Sequence, residues 1–536
     1  MSTIEHVPLI LIRGFGGLTV DDERRLAYQG FNDGTVYPHK RGENYIYEGL
    51  ILRYLKAAWR YHDATNVVGY YSRPVPEETE LPEDLQGLDP RYFSGHRVVI
   101  DPGTALTLVS TSEDPRRSLW VFRYYDLDER AFGVYGDALV RLIDFVRDLT
   151  VLKTGRPKPP VNIIAHSMGG LIVREAVQVT LPGLGRRAED CINKIVTLGT
   201  PHKGISFQGV RDWKLLDAQE ELERFNPAAQ LDAGNPWSSV NFASFFPPER
   251  VLCVVGTNYR TYGTRIAAGL NRLFSTPQEQ GWVYNRSDGL VKQSSAQLPG
   301  APRTFIHKCH GGHDSIITAR ESFEVATRFF HGDVRARVNL VSANVTRGLD
   351  RFGRSELFFG MSVKPRRVDF DLFHQSAEAE NCYGPFRSPA LDDALDAAGG
   401  FGWAGADRLI YEGWFDTSRI APHGRGRVTP GEQRDLVLRL DFYVGERDTL
   451  GIGFSDNVVF RKQYYLRALA GGPERLAASF DNLQMYLYED ESFTDDAEAD
   501  PLPFENGRWL FSIGDTGFAA TLGIELAHVG SAAAAG

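Results

Sequence analysis

The stretch Val161-Asn-Ile-Ile-Ala-His-Ser-Met-Gly-Gly-Leu-Ile-Val-Arg174 joins two apolar runs through a short turn at Ser167. The first run is typical of a buried strand, and the second begins a helix predicted from Gly170 to Val179. A strand that turns sharply into a helix lifts the side chain at the turn out of the sheet, and small residues two positions away avoid collisions. Ala165 and Gly169 occupy those positions, with Ala where Gly is more usual. The stretch therefore predicts an α/β sheet that presents Ser167 as a nucleophile.

Short apolar runs alternate with helical patterns on both sides of this stretch, which is typical of a mostly parallel central sheet. Within a predicted domain of residues 1–332, we expect strands at 8–12, 67–71, 119–125, 161–164, 194–198 and 250–255, and further helices at 45–62, 134–149 and 316–330. An insertion at 204–249 mixes aromatic and charged residues. It is either a cap over a pocket or ordinary helical packing, and we favour the cap.

The pattern changes after His331 to alternation with a period of two residues, separated by Gly, Pro and Asp clusters. Such alternation without intervening helices predicts an antiparallel sheet with one buried face. We therefore expect an all-β, sandwich-like domain at 335–528 and a tail at 529–536. Its clearest strands are predicted at 338–345, 367–373, 435–444 and 483–488.

A serine nucleophile needs backbone N–H groups that stabilise the oxyanion formed during acyl transfer. Met168 follows Ser167 at the start of a helix, where N–H groups lack helical partners, so its N–H is the first expected donor. The second should come from a loop after an earlier strand. The Gly-rich segment 13–17 follows the first predicted strand, and within it we predict the Phe15 N–H as that donor.

The acid and the base of a catalytic triad are expected downstream of the serine. Asp288 lies in the tight turn Ser287-Asp-Gly-Leu-Val291 and is the predicted acid. Three histidines follow it, and we prefer His313, because it lies in a Gly-rich loop at the predicted entrance to the helix 316–330. His310 is the alternative base, and His307 lies inside a strand-like run.

Metal binding is the competing chemistry for this segment. Its candidate ligands fit no standard zinc spacing, so we expect neither a metal nor a cofactor. These candidates are His307, Cys309, His310, His313 and Asp314.

The chain has 536 residues, with 59 Lys and Arg against 69 Asp and Glu, a formal charge of −10. This balance, without a long basic block, argues against nucleic acid as a partner. The four cysteines show neither a disulfide framework nor a CxxC pair, which favours a reducing compartment. The first residues lack the features of a secretory leader, and no apolar run approaches about 20 residues. We therefore expect a cytoplasmic protein.

Three segments resemble the lipase branch of the α/β-hydrolases, near the bacterial triacylglycerol lipases, lecithin:cholesterol acyltransferases and GPI-inositol deacylases. They are 161–174, the strand and loop Thr197-Leu-Gly-Thr-Pro-His-Lys-Gly204, and 287–291. The resemblance covers most of 7–331 and implies triad roles for Ser167, Asp288 and His313, with the oxyanion hole at Phe15 and Met168. One departure is that Arg13-Gly14 stands where such lipases usually have His-Gly.

The resulting hypothesis is a lipase-like carboxylic-ester hydrolase that works through an acyl-enzyme. Two alternatives keep the same triad: an acyltransferase and a phospholipid or GPI-type deacylase. A third is a docking protein that retains the fold without catalysis. We expect an ester or lipid substrate, and the β domain or the cap could provide transient contact with a lipid surface. The sequence leaves the oligomeric state open.

Overall fold

The computed structural model describes most of the chain in two units. Its residues are 6–14, 47–57, 61–65, 67–71, 73–77, 81–122, 131–205, 223–260, 286–312, 314–346, 355–366, 368–386, 390–391, 408–419, 421–422, 434–448, 457–470, 480, 483–491 and 499–529. One unit comprises Met1–Arg303 and Lys308–Ala326, and the other comprises Thr304–His307 and Thr327–Gly536.

The first unit is built on a sheet in which six strands follow the order β2-β5-β1-β6-β7-β8. The pairs from β2 through β8 are all parallel. This confirms the predicted α/β class. The first nine strands are β1 (Leu9–Ile12), β2 (His62–Thr65), β3 (Val68–Tyr70), β4 (Val98–Ile100), β5 (Ser118–Phe122), β6 (Val161–His166), β7 (Ile192–Leu198), β8 (Val251–Gly256) and β9 (Arg303–Ile306).

The helices of the first unit cover apolar strands. Helix α3 buries a stripe that includes Leu139, Ile143 and Val146 in the same core as the β6 residue Ile163, as a helix with one apolar face should. The helices that begin in this unit are α1 (Glu48–Lys56), α2 (Pro102–Thr111), α3 (Phe132–Thr154), α4 (Met168–Glu175), α5 (Pro227–Leu231) and α6 (Arg320–His331). Helix α4 continues through a π-helical turn, Ala176–Thr180, and a last turn, Leu181–Gly183.

Three predictions for this unit need correction. The helix predicted at 45–62 ends at Lys56, and His62 begins β2. The strand predicted at 67–71 does form, but it pairs antiparallel with β4 in a separate two-stranded sheet. The helix predicted at 316–330 begins only at Arg320. Before it, the Ser315 N–H donates to the Thr318 hydroxyl at 3.2 Å and the Thr318 N–H donates to the Ser315 hydroxyl at 3.4 Å. Such side-chain bonds satisfy backbone groups outside a helix and delay its start.

The second unit contains two antiparallel sheets, as predicted. One has the order β13-β10-β20-β19-β18 and the other β12-β11-β15-β16-β17, with β14 paired to β15. Its strands are β10 (Val334–Val345), β11 (Ser355–Pro365), β12 (Tyr383–Phe386), β13 (Leu409–Phe415), β14 (Ala421–Pro422), β15 (Arg434–Asp448), β16 (Asn457–Ala470), β17 (Gln484–Tyr488), β18 (Phe504–Glu505), β19 (Arg508–Asp515) and β20 (Phe518–His528).

Aromatic rings join the two sheets. Phe518 of β20 lies 6.1 Å from Phe359 of β11 and 4.8 Å from Phe460 of β16, between ring centroids. All three rings are buried, so the sheets share an apolar core, as in a sandwich.

One predicted strand of this unit, 367–373, is wrong. Among its described residues 368–373, the ladder contact is an isolated bridge between Phe373 and Val363. The neighbours Leu372 and Phe373 are both buried, whereas a strand with one solvent face would point them to opposite sides.

No helix in the described part of the chain combines the length and the apolar character that crossing a membrane requires.

Candidate active site

Ser167 lies at the sharp turn between β6 and α4, in a backbone conformation that is rare for residues with a side chain. Its φ is 52° and its ψ is −125°, a region that costs about 1–3 kcal/mol. The Ser167 N–H donates to the Leu198 carbonyl of β7 at 2.9 Å and holds the turn against the neighbouring strand. This is the strained strand-to-helix turn expected from the sequence.

The packing explains why the two small residues differ. A Cβ at Gly169 would lie 2.6 Å from the Arg13 carbonyl oxygen, so this position excludes a side chain. Ala165 is fully buried in β6, in register with Ile12 of β1. Gly is therefore required only after the serine, which accounts for the departure at Ala165.

His310 connects Ser167 to Asp288. His310 Nε2 lies 2.9 Å from Ser167 Oγ, and His310 Nδ1 lies 2.7 Å from Asp288 Oδ2. All three side chains are at least nine-tenths buried. With the Nδ1–H donating to the carboxylate, Nε2 is left to accept the serine proton, which is the arrangement of a Ser-His-Asp triad.

Asp288 builds the turn that holds it. Its Oδ1 accepts hydrogen bonds from the N–H groups of Leu290 at 3.0 Å and Val291 at 2.7 Å. Its own N–H donates to the Val291 carbonyl at 3.1 Å. One carboxylate oxygen is thus fixed by the turn, and the other faces the imidazole.

His310, the alternative base of the sequence analysis, is the histidine found in this geometry. His313 lies outside the described residues. The main chains of Cys309 and Ser315 form an isolated β-bridge, and the Ile316 N–H donates to the Cys309 carbonyl at 2.9 Å. This pairing closes a short loop, and His310 is the first residue of that loop after Cys309. His310 is therefore the base carried into the proposed mechanism.

The structure describes one of the two predicted oxyanion donors, Met168. Met168 is the first residue of α4, so its N–H lies among the groups without a partner inside the helix. Phe15 lies outside the described residues. The preceding Gly14 N–H is not available to a substrate, because it donates to the Tyr47 hydroxyl at 2.8 Å.

Two residues beside the triad were not singled out from the sequence. The Tyr47 hydroxyl lies 2.7 Å from His166 Nδ1, and His166 Nε2 lies 3.1 Å from the His310 carbonyl oxygen. His166 directly precedes Ser167 and could have been suspected. Tyr47 is 119 positions from His166, and no local pattern points to it.

Burial sets the protonation of this pair. It lowers the pKa of His166 well below its ordinary value of 6.5, and the nearby His310 and Arg13 add to this effect. Burial also raises the pKa of Tyr47 to about 12. His166 is therefore neutral and Tyr47 protonated at neutral pH.

Glycines let the backbone pass close to the triad. Gly199 has a φ of 57°, and a Cβ there would lie 2.9 Å from Asp288 Oδ2 and 3.1 Å from His310 Nδ1. A Cβ at Gly256 would lie 2.7 Å from the Asp288 Cβ. The loop after β7 and the end of β8 thus enclose the acid and leave no room for a larger residue.

Buried charges join part of the insertion to helix α4. The Arg174 side chain donates to the carbonyl oxygens of His202 and Trp237 and to Gln230 Oε1. Glu175 forms an ion pair with Arg224 at 2.7 Å. Residues 223–250 are therefore fixed to the helix that begins at the nucleophile. Residues 206–222 of the predicted cap lie outside the described residues, and the cap stays a prediction.

Among the described residues, no group of three or more His, Cys, Asp or Glu side chains is arranged to hold a metal ion.

Comparison with known families gives one match. Residues 105–245, which include Ser167, match the family described as PGAP1-like alpha/beta domain. A search of curated proteins found no match to the sequence.

The solved structures that the chain matches include a lipase, a putative cell surface hydrolase and a phospholipase. The mature lipase BlEst2 of Bacillus licheniformis is 14% identical, with a TM-score of 0.31, over 61% of this chain and 93% of that chain. A putative cell surface hydrolase of Lactobacillus plantarum is 12% identical, with a TM-score of 0.31, over 61% and 92%. The phospholipase PlaB of Legionella pneumophila, in complex with thio-NAD, is 12% identical, with a TM-score of 0.28, over 92% and 91%.

Proposed function

We propose that this chain, whose first unit is an α/β-hydrolase domain of the lipase-like superfamily, is a serine carboxylic-ester hydrolase. The observation that carries the proposal is the continuous hydrogen-bond chain from Ser167 through His310 to Asp288. A hydroxyl becomes an effective nucleophile at neutral pH when a base of this kind accepts its proton.

The proposed reaction has two halves. Ser167 Oγ attacks the ester carbonyl while His310 Nε2 takes its proton, and the resulting imidazolium is stabilised by Asp288. His310 then passes that proton to the leaving alcohol oxygen, which yields the acyl-enzyme. Water repeats the sequence and releases the acid. In both halves the Met168 N–H stabilises the oxyanion, with the Phe15 N–H proposed as the second donor.

The substrate is proposed to be an ester of lipid type, in keeping with the resemblance of 161–174, 197–204 and 287–291 to lipases. An acyltransferase or a phospholipid or GPI-type deacylase would use the same residues, so products with and without an added alcohol distinguish these outcomes. A cytoplasmic location is part of the proposal. It rests on the four cysteines, which are buried and form no disulfide.

The test is hydrolysis of p-nitrophenyl esters of increasing chain length by the wild type and by Ser167→Ala. We expect kcat to fall by about 10⁴-fold or more in the variant, and a fluorophosphonate to label only the wild type. The matched control is Ser239→Ala, which removes another buried hydroxyl, one that donates to the Gln230 carbonyl at 2.7 Å. It should remain active. Equal turnover by the wild type and Ser167→Ala contradicts the mechanism, and no turnover by either protein favours a docking role.

A further inference from the structure

A chain of buried hydrogen bonds runs beside the triad and joins Tyr47, at the start of helix α1, to three other segments. The Gly14 N–H bonds to the Tyr47 hydroxyl at 2.8 Å, that hydroxyl to His166 Nδ1 at 2.7 Å, and His166 Nε2 to the His310 carbonyl at 3.1 Å. The segments are the end of β1, the end of β6 and the loop that carries the base.

The direction of each bond follows from the groups available. Tyr47 has one proton, and its oxygen already accepts the Gly14 N–H, so its O–H donates to His166 Nδ1. A neutral imidazole that accepts at Nδ1 carries its proton on Nε2. The His166 Nε2–H therefore donates to the His310 carbonyl, and every group in the chain has a partner.

The ring of His166 also fills the space next to Gly14. A Cβ on Gly14 would lie 2.4 Å from His166 Nδ1 and 2.7 Å from the Ser167 Cβ. The His166 and His310 ring centroids are 4.8 Å apart. One buried ring thus contacts the glycine before the proposed oxyanion donor, and it packs beside the base.

We propose that Tyr47 and His166 are positioning residues for the reaction and together hold the Gly14 and His310 main chains at fixed distances from Ser167. We call this pair the Tyr47–His166 relay. The inference rests on the proposed function. Gly14 immediately precedes Phe15, the proposed second donor, so the bond from its N–H to Tyr47 fixes the main chain next to that residue.

The first test is Tyr47→Phe, which keeps the ring and removes the hydroxyl. We expect kcat on a p-nitrophenyl ester to fall by about 10- to 100-fold with KM changed less than about twofold, because a misplaced donor weakens transition-state stabilisation more than substrate binding. The matched control is Tyr54→Phe on the same helix, where the buried ring packs against Tyr61 and Phe323. It should retain wild-type kinetics.

Two substitutions of His166 separate the two links of the relay. His166→Asn retains an acceptor near the Nδ1 position, whereas His166→Gln retains a donor near the Nε2 position. We expect each substitution to lower kcat. Adding Tyr47→Phe should lower kcat again in the Asn variant and have a smaller effect in the Gln variant, because only Asn still accepts from Tyr47. The single His166 variants carry the test if Tyr47→Phe does not fold.

The outcomes distinguish the relay from the proposed function. Wild-type kcat in folded Tyr47→Phe and in both His166 variants overturns the relay while leaving Ser167 as the nucleophile. A wild type that neither hydrolyses esters nor reacts with a fluorophosphonate overturns the proposed function, and the relay with it. The relay is also overturned if Tyr47→Phe and the control Tyr54→Phe lose kcat equally and in proportion to their loss of melting temperature.

Discussion

Asp288 holds His310 at two points. The Asp288 carbonyl accepts the His310 N–H at 2.9 Å, and the Asp288 carboxylate lies 2.7 Å from His310 Nδ1. The main-chain bond sets where the base-bearing loop starts, and the side-chain bond sets the orientation and the tautomer of the ring. In the proposed mechanism, Asp288 therefore positions the base as well as stabilising its charge.

Replacing the acid by an amide should leave the fold and remove the chemistry. In Asp288→Asn, the amide can donate to His310 Nδ1 and stabilise the wrong tautomer, so we expect kcat to fall by roughly 10⁴-fold. The measurement is ester hydrolysis at saturating substrate. The matched control is Asp314→Asn, at a half-exposed carboxylate paired with Lys308 at 2.7 Å, which should keep its activity. A similar kcat for both variants would remove Asp288 from the mechanism.

The identity of the base is tested by a pair of alanine variants three positions apart. We expect His310→Ala to lose about 10⁴-fold or more in kcat, because Ser167 then has no proton acceptor. His313→Ala should remain within a few-fold of the wild type. Single-turnover measurements of p-nitrophenol release provide the comparison. The opposite ranking of the two variants would restore His313 as the base.

The parts of the site that could be predicted from the sequence are those with local causes. Ser167 was predictable because a strand, a turn and a helix follow one another within fourteen residues, and Asp288 because its side chain forms its own turn. The parallel sheet followed from apolar runs alternating with helices. Each of these features depends on neighbours in the chain.

The parts that could not be predicted depend on contacts between distant segments. The choice of His310 follows from the closure of the loop at Cys309 and Ser315, which a Gly-rich pattern does not indicate. The Tyr47 hydroxyl meets His166 across 119 positions. In the second unit, the alternation of apolar and polar residues at 367–373 suggested a strand. The adjacent Leu372 and Phe373 are both buried, so this alternation does not correspond to a buried and an exposed face of a strand.

Two buried histidines should make the first unit sensitive to acid. Burial lowers the pKa of His166 and of His202 well below 6.5. Below pH 6.5 the unfolded chain therefore binds protons that the folded chain does not, and the free energy of unfolding decreases as the pH is lowered. Each histidine contributes about 1.4 kcal/mol per pH unit of that fall, until its folded pKa is reached. Above pH 6.5 the contribution is fully present.

The pH effect is measured with His202→Gln, which can keep a hydrogen bond to Thr197. Guanidinium unfolding between pH 6.5 and 5 should show a free energy of unfolding that falls less steeply than in the wild type, by about 1.4 kcal/mol per pH unit. The control His62→Gln alters an exposed histidine and should leave the slope unchanged. An unchanged slope in His202→Gln would mean that His202 also binds a proton in the folded state.

The ion pair that ties the insertion to helix α4 should dominate the stability of that region. Glu175 is 4% exposed and lies 2.7 Å from Arg224, whose guanidinium carbon lies 4.4 Å from the Trp237 ring centroid. Arg224→Ala leaves the buried carboxylate without this cation and removes the stacking, and we expect a loss of about 3–5 kcal/mol. The melting temperature of the first unit should fall by roughly 10 °C.

The matched control is the exposed pair Arg187–Glu189, whose atoms are 2.8 Å apart. Water screens such a pair and the arginine loses side-chain freedom in forming it, so Arg187→Ala should leave the melting temperature unchanged. Differential scanning calorimetry of the two variants compares the loss of melting temperature for a buried and an exposed ion pair of similar length. Equal melting temperatures would mean that water reaches Glu175 once Arg224 is removed, and that the insertion is fixed to α4 through Arg174 instead.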